Sequence, residues 1–309
     1  MNDFLATKAI NSRRTMETYM WYLRSYFRWK GDTGIDMHSY SNYLLHLRRM
    51  NRRQNGIATA STVLREYARF KHINTDEWPV PRKQEVPTRP LKENEIMALR
   101  EAILNGDNPW RNIFIFDFLL GTGMRVDELL KLKWSDLDLE PVQNGKYLDP
   151  EAGVRATCVI AVAKGNKSRT IPLTATAAEA AWNYARYVFG DGITARKLRL
   201  KKERVLDLTT RMAINYILST AADRAGLASL GVHPHLLRHT FATSMASSGL
   251  MAVHELKPYL GHSSIQTTER YMHFSSMATE KRIATARLFH LPPEKKSRGA
   301  PEPLKETHK

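Results

Sequence analysis

Residues 78–90 read WPVPRKQEVPTRP, with four prolines in thirteen positions. Proline lacks an amide hydrogen and biases the residue before it away from the helical region, so this stretch is expected to run extended. It divides the chain. To its left, residues 1–80 form one block, and residues 81–90 are the proline-rich linker proper. To its right, residues 91–291 form a larger block, and residues 292–309 a proline- and charge-rich tail that is expected to be mobile. At 309 residues the chain is also too long for one comfortable core and suggests about two domains.

The left block reads as helices. Met16, Tyr19, Met20, Leu23, Tyr26 and Phe27 recur at helical spacing and make one apolar face, closed by Gly31 and Gly34. Tyr40, Tyr43, Leu44 and Leu47 form a second stripe. Ala60, Val63, Leu64, Tyr67 and Phe70 form a third. Trp21 and Trp29 are expected in the core rather than as stacking platforms. Basic residues stand outside the stripes in pairs: Arg13 with Arg14, Arg48 with Arg49, Arg52 with Arg53. Helices that bury one face and leave arginines on the other suit a phosphate backbone, and equally an ordinary solvated surface.

The right block predicts a helix from Leu91 to Asn105. Asn108–Pro109 reads as a cap and first turn leading into the apolar RNIFIFDFLL. Gly121-Thr-Gly123 is expected to break that helix, and a new one to start near Val126. Strands are expected at Cys158–Ala163 and Arg169–Leu173, joined by a KGNKS hairpin turn. Helices follow over 174–189, 209–225, 235–248 and 277–289. The fold class is therefore mostly α with a small antiparallel β-sheet. No βαβ rhythm supports a Rossmann fold or a barrel.

Charge narrows the partners. Forty-seven Lys and Arg against 31 Asp and Glu give a net +16. Half of that excess, +8, lies in residues 1–90, at more than twice the density of the remainder. Such a surface favours a polyanion, nucleic acid or an acidic membrane. Cys158 is the single cysteine, which excludes an intrachain disulfide and argues against a Cys-based zinc site. No apolar run of membrane-spanning length and no secretion-signal layout is present, so a cytoplasmic, DNA-associated protein is expected.

Polar clusters stand out against this background. TGMRVDELLKLKWSDLD (122–138) sets Arg125 after a glycine break with Glu128 one turn on. VAKGNKSRTIPL (162–173) puts Lys164 at the mouth of the hairpin, with Lys167 and Arg169 beyond it as expected DNA contacts. A lysine there can donate a proton, since its pKa falls readily near other cations; a solubilising turn is the plain alternative. HPHLLRHTFATSMASSG (233–249) places His235, Arg238 and His239 on one helical face. The His-x-x-x-His spacing raises a zinc reading, but Leu236 stands where H-E-x-x-H needs glutamate, and third ligands would have to come from His233 or His262. LGHSSIQTTERYMHF (260–274) carries His262 at a turn and Tyr271 nine residues later. A tyrosine is a weak nucleophile at neutral pH unless cationic donors stabilise the transition state. Two arginines, a lysine, two histidines and a tyrosine form a set that suits phosphoryl transfer to a protein hydroxyl. No acidic cluster resembles a two-metal nuclease and no Walker lysine loop occurs, so neither metal nor other cofactor is expected.

In this chain order the motifs resemble the tyrosine recombinase (phage integrase) family, over about residues 8–290. The resemblance implies a helical core-binding domain followed by a catalytic domain of helices around a small sheet. It implies Tyr271 as nucleophile, Arg125 and Arg238 as clamps on the scissile phosphate, and Lys164 as proton donor to the departing 5′-oxygen. His235 would assist proton transfer at the tyrosine oxygen, His262 would hydrogen-bond the phosphate, and Glu128 and His239 would support the set. It implies site-specific recombination through a 3′-phosphotyrosyl link, on double-stranded DNA with paired core sites. The expected assembly is a tetramer that exchanges its C-terminal helix, about Thr279–Leu288, between protomers, with a DNA-bending accessory protein as a further possible partner and no membrane. A relaxing topoisomerase of the same chemistry and a non-catalytic DNA-binding architectural protein are the alternatives.

Three departures from the family pattern stand out. PVQNGKYLDPEAGVRAT (141–157) looks longer than the usual segment and reads as a surface loop or longer hairpin. Pro258 is expected to kink or shorten the MAVHELKPYL helix (251–260), and the 249–261 interval looks one residue longer than usual. No extra domain precedes the core-binding block, so arm-site binding is not expected.

Overall fold

The structure is a computed structural model that describes residues 1–9, 13–31, 34–84, 89–140, 142–143, 146–147, 156–161 and 168–261. The chain divides into two compact units, Met1–Pro87 and Thr88–Lys309.

The first unit is helical: α1 (Asn2–Ala9), α2 (Arg13–Lys30), α3 (Met37–Arg49) and α4 (Gln54–Phe70). The three apolar stripes meet in one core. Leu23, Tyr26, Tyr40, Val63, Leu64 and Ala60 are fully buried in it. Buried tyrosines are tolerated because their hydroxyls find partners: Tyr26 donates to Ser39 Oγ at 2.7 Å, and Tyr43 to Ser25 Oγ at 2.8 Å. Asp36 caps α3 by accepting from the Ser39 amide at 2.8 Å. The short helix α1 was not foreshadowed by the stripes; Phe4 and Leu5 pin it to the same core. The two tryptophans correct the reading. Trp21 is 54% exposed and Trp29 37%. Trp21 lies off the 16–20–23–27 stripe, and Trp29 packs from the edge of the core against Tyr26, Tyr43 and His46. Phe70, at the end of the third stripe, is also exposed.

The second unit wraps helices around a small sheet. Its helices are α5 (Glu93–Leu104), α6 (Pro109–Thr122) and the single turn α7 (Val126–Leu129) before the strands. Then come β1 (Leu137–Asp138), β2 (Val142–Gln143), β3 (Lys146–Tyr147), β4 (Thr157–Ala161) and β5 (Ser168–Pro172). After them follow α8 (Ala175–Phe189), α9 (Ala195–Leu198), α10 (Arg211–Arg224), α11 (Pro234–Ser247) and α12 (Val253–Leu260). The apolar α6 lies at the centre, with Phe114, Phe116 and Phe118 buried and α8 and α11 packed on it. Strands β1, β4 and β5 form an antiparallel sheet in that order, with Cys158 opposite Ile171 and Ile160 opposite Arg169. β2 and β3 pair as a separate two-stranded hairpin inside the long 141–157 segment.

Three expectations need adjustment. Gly121 stays inside α6, and the helix ends at Thr122. Asn108 makes no side-chain cap; it turns the chain through left-handed backbone, φ 48°, and Pro109 opens the helix. Pro258 is accommodated inside α12, a helix of only eight residues. Its missing amide removes one hydrogen bond from a helix that other contacts anchor. The expected helix over 277–289 and the tail over 292–309 lie outside the described residues.

Candidate active site

Three separated segments of the second unit deliver guanidinium groups to the C-terminal end of α12. The first is the α6–α7 turn. Gly123 takes a left-handed conformation, φ 59°, and a side chain there would run into the Phe241 ring. That sharp turn releases Arg125 at the start of α7. The Arg125 amide donates to Glu128 Oε2 at 2.8 Å, which closes the one-turn helix on itself.

The second segment is α11. Leu236, Leu237, Phe241 and Met245 face the core. Arg238 also turns inward and is 5% exposed. Its Nη1 donates to the Gly123 carbonyl and its Nη2 to the Leu260 carbonyl, each at 2.8 Å. One buried side chain thus ties the turn before Arg125 to the end of α12. Burial first, then the neighbouring Arg125 charge, lowers the Arg238 pKa to about 10, still cationic at neutral pH.

The third segment is β5. Strand alternation puts Ile171 in the core, so Arg169, two residues earlier, faces the same way. Its terminal nitrogens grip Glu128 as a fork, Nη1 to Oε1 at 2.9 Å and Nη2 to Oε2 at 3.0 Å. Its Nε donates to the Tyr259 carbonyl at 3.1 Å. Arg169 was expected among the DNA-contacting cations of the hairpin; its fork is instead engaged inside this cluster.

The end of a helix leaves carbonyls without intrahelical partners and carries partial negative charge. Here those carbonyls receive arginines. Tyr259 O accepts from Arg169, Leu260 O from both Arg238 and Arg125, and Gly261 O from Arg125 Nη2 at 2.6 Å. Gly261 has φ 67°, and a side chain there would press on the Arg169 guanidinium at 3.0 Å. The end of α12 is locked from the sheet side as well: the buried Tyr259 stacks on Phe241 and its hydroxyl donates to Pro172 O at 3.1 Å. Glu128 is the single acid in this knot of three cations. Burial pushes its carboxyl up, but bonds from Arg169 and from the Arg125 amide, with both arginine charges, hold it below the ordinary range.

His235 lies one turn before Arg238 on α11 and is exposed. Partial burial, followed by the charges of Arg238, His233, His239 and Arg125, lowers its pKa, which favours the neutral, proton-accepting imidazole. His239 is half-buried on the same helix. Lys164, Lys167, His262 and Tyr271 lie outside the described residues. In the first unit Arg48, Arg49, Arg52 and Arg53 are exposed around the α3–α4 connection. Arg13 is exposed and pairs with Glu17 at 3.0 Å, and Arg14 lies beside it in α2. Among the described residues no group of three His, Cys, Asp or Glu could hold a metal ion, and no helix is long and apolar enough to cross a membrane.

The sequence motifs located Arg125, Glu128 and Arg238. They did not indicate Arg169 or Tyr259 as parts of the same knot. The signal was present for Arg169, because SRTIPL places it in phase with the buried Ile171.

Fold and cluster together define a mostly helical protein with an antiparallel sheet and a cation-rich centre suited to an oxyanion. The sequence pattern of the phage integrase family matches residues 89–277, and the chain belongs to this family of tyrosine recombinases, whose activity is DNA recombination. The tyrosine recombinase XerC of Pediococcus pentosaceus is 30% identical over 297 residues, covering 88% of this chain and 91% of its own. The fold is similar to that of the Tn1549 transposon integrase in complex with transposon right end DNA, with a TM-score of 0.60 at 15% identity over 90% of this chain and 96% of that one. It is also similar to a lambda integrase tetramer bound to a Holliday junction, with a TM-score of 0.56 at 18% identity over 86% of this chain and 74% of that one.

Proposed function

We propose that the protein is a site-specific DNA recombinase that cuts and rejoins strands through a 3′-phosphotyrosyl intermediate at Tyr271. The observation that carries this reading is the meeting of Arg125 and Arg238 at the end of α12, two residues before His262 in the sequence. Each guanidinium carries five N–H donors, and those not given to the Gly123, Leu260 and Gly261 carbonyls would serve the nonbridging oxygens of one scissile phosphate, where a dense positive site stabilises the charge that builds as a fifth oxygen approaches phosphorus. The Tyr271 oxygen forms a bond to phosphorus as the bond to the 5′-oxygen breaks. Lys164 supplies the proton to that leaving oxygen, and neutral His235 takes the phenolic proton. His262 donates to the phosphate, Glu128 orients Arg125, and His239 supports α11 from within. A 5′-hydroxyl from the partner duplex then reverses the step and frees Tyr271. One phosphodiester bond is exchanged for another, so neither ATP nor a metal ion is required. Tyr259 is no substitute nucleophile: it is buried and its hydroxyl already donates to Pro172.

The arginine pairs of the first unit and Lys167 would hold phosphates flanking the cut. Four protomers would act on paired core sites, with the C-terminal segment exchanged between them; that a lambda integrase of similar fold is a tetramer on a Holliday junction supports the number four. In the cell the protein would sit on cytoplasmic DNA. The test is a suicide substrate, a core-site duplex nicked beside the cut so that the freed fragment diffuses away. The protein should become covalently attached at a DNA 3′ end and leave a 5′-hydroxyl. A 5′ attachment, or no attachment to any duplex it binds, contradicts the proposal.

A further inference from the structure

We infer that Arg169 is a positioning residue for this reaction: it transmits the placement of the β4–β5 hairpin to the arginine clamp by gripping Glu128 and the α12 terminus at once. The inference rests on the cleavage reading above, and its argument is geometric.

Arg169 turns inward from its strand. It lies in phase with Ile171, its side chain is 16% exposed, and all three guanidinium nitrogens have partners within the unit. Those partners belong to two other elements. Glu128 is on α7, where it also accepts from the Arg125 amide and pairs with the Arg125 guanidinium at 3.4 Å. The Tyr259 carbonyl is on α12, next to the Leu260 carbonyl that both clamp arginines share. Arg169 is therefore a link through which the sheet reaches both sides of the clamp at once, beside the Tyr259–Pro172 bond to the α12 side alone. It stands five residues after Lys164 in the sequence. Its fork thus sets the register between β5 and the arginines proposed to hold the phosphate.

Lysine cannot replicate this. An ammonium is a point charge, and it cannot bridge both carboxylate oxygens and reach a carbonyl in the same plane. Misplacing reacting groups by about 1 Å costs on the order of a hundredfold in rate. Arg169→Lys is therefore expected to slow single-turnover cleavage of saturating suicide substrate by roughly a hundredfold, while DNA affinity stays within about threefold because no phosphate contact is lost. Weakened DNA binding with an intact saturating rate would instead make Arg169 a phosphate contact and overturn the inference.

Two further readouts separate positioning from mere folding. Glu128 is faced by Arg125 from α7, Arg169 from β5, Arg238 from α11 and the Cys158 thiol from β4. Its carboxyl is held low, so its grip is complete above the ordinary carboxylate range and fails as pH falls through its folded value. In Arg169→Lys the acid limb of the cleavage–pH profile should move upward, and in Glu128→Gln the part of that limb due to this carboxyl should vanish. An unmoved limb in both contradicts the inference. Amide hydrogen exchange over Val253–Leu260 reads the same grip without chemistry. It should quicken by about tenfold in Arg169→Lys at unchanged global stability, and unchanged exchange contradicts the inference. Were the parent protein to give no adduct, the cleavage proposal would fall, and the exchange result would still decide the place of Arg169.

Discussion

The arginines around the α3–α4 connection of the first unit and Arg169 and Arg238 of the second unit's candidate site differ in burial. In the first unit Arg48, Arg49, Arg52 and Arg53 all face solvent, and the core beneath is tyrosine, phenylalanine and leucine. In the second, Arg238 is 5% exposed, and the side chains of Arg100 and Arg169 are each 16% exposed. An arginine outside a core serves whatever anion approaches, and its geometry is loose. One inside must have every donor placed, because an unpaired buried charge is costly. The same residue type therefore suits two jobs: attraction of an approaching anion where it is exposed, and fixed geometry where it is buried.

The largest expected effect of this difference lies away from the candidate active site. Arg100 of α5 pairs with Asp117 of α6, which is 4% exposed. Arg100→Ala strands that carboxylate and should destabilise the fold by about 3–5 kcal/mol in denaturant titration. Replacing both partners with apolar residues of similar volume should recover most of the loss. A loss below about 1 kcal/mol would mean that this pair behaves like a surface bridge. Burial raises the Asp117 pKa to about 6, against the pull of Arg100. With the folded value raised, its contribution is complete below the ordinary aspartate range and is lost as pH rises through about 6. The Arg100→Ala defect should accordingly ease in acid, where Asp117 takes up a proton.

Next in size is Arg238→Ala. On the proposed mechanism its main value arises as charge builds at phosphorus, so turnover should fall roughly a hundred- to a thousandfold with a smaller loss in DNA binding. Equal losses in both would make Arg238 a simple binding residue. The smallest effects belong to the exposed pairs. Alanine at Arg48 and Arg49, or at Arg52 and Arg53, should leave the melting temperature unchanged. The slope of log affinity against log salt should become shallower by about 0.9 for each phosphate contact removed. An unchanged slope would mark the pairs as an ordinary solvated face.

The same contrast explains what the sequence revealed. Periodicity is a local property, so Leu23, Tyr43 and Val63 identified their helices and core faces directly. Trp21 and Trp29 misled because size and apolar character were allowed to outweigh helical phase. The ordered motifs located Arg125, Glu128 and Arg238, since each sits beside a legible feature: a glycine turn, a helix start, a helical face. The knot they form is non-local. Arg169 and Glu128 are 41 residues apart, and Arg125 and Gly261 are 136 apart. No local pattern says that a helix end will collect three guanidiniums. The strand phase of Arg169 was visible, but its partners were not.

If cations from separate stretches gather on one DNA phosphate and make a single phenol reactive toward it, removing that phenol's oxygen must stop the chemistry. On the nicked core-site duplex, Tyr271→Phe should keep DNA affinity within about twofold of the parent and lose the covalent adduct completely. An adduct that persists without the Tyr271 hydroxyl would contradict this mechanism.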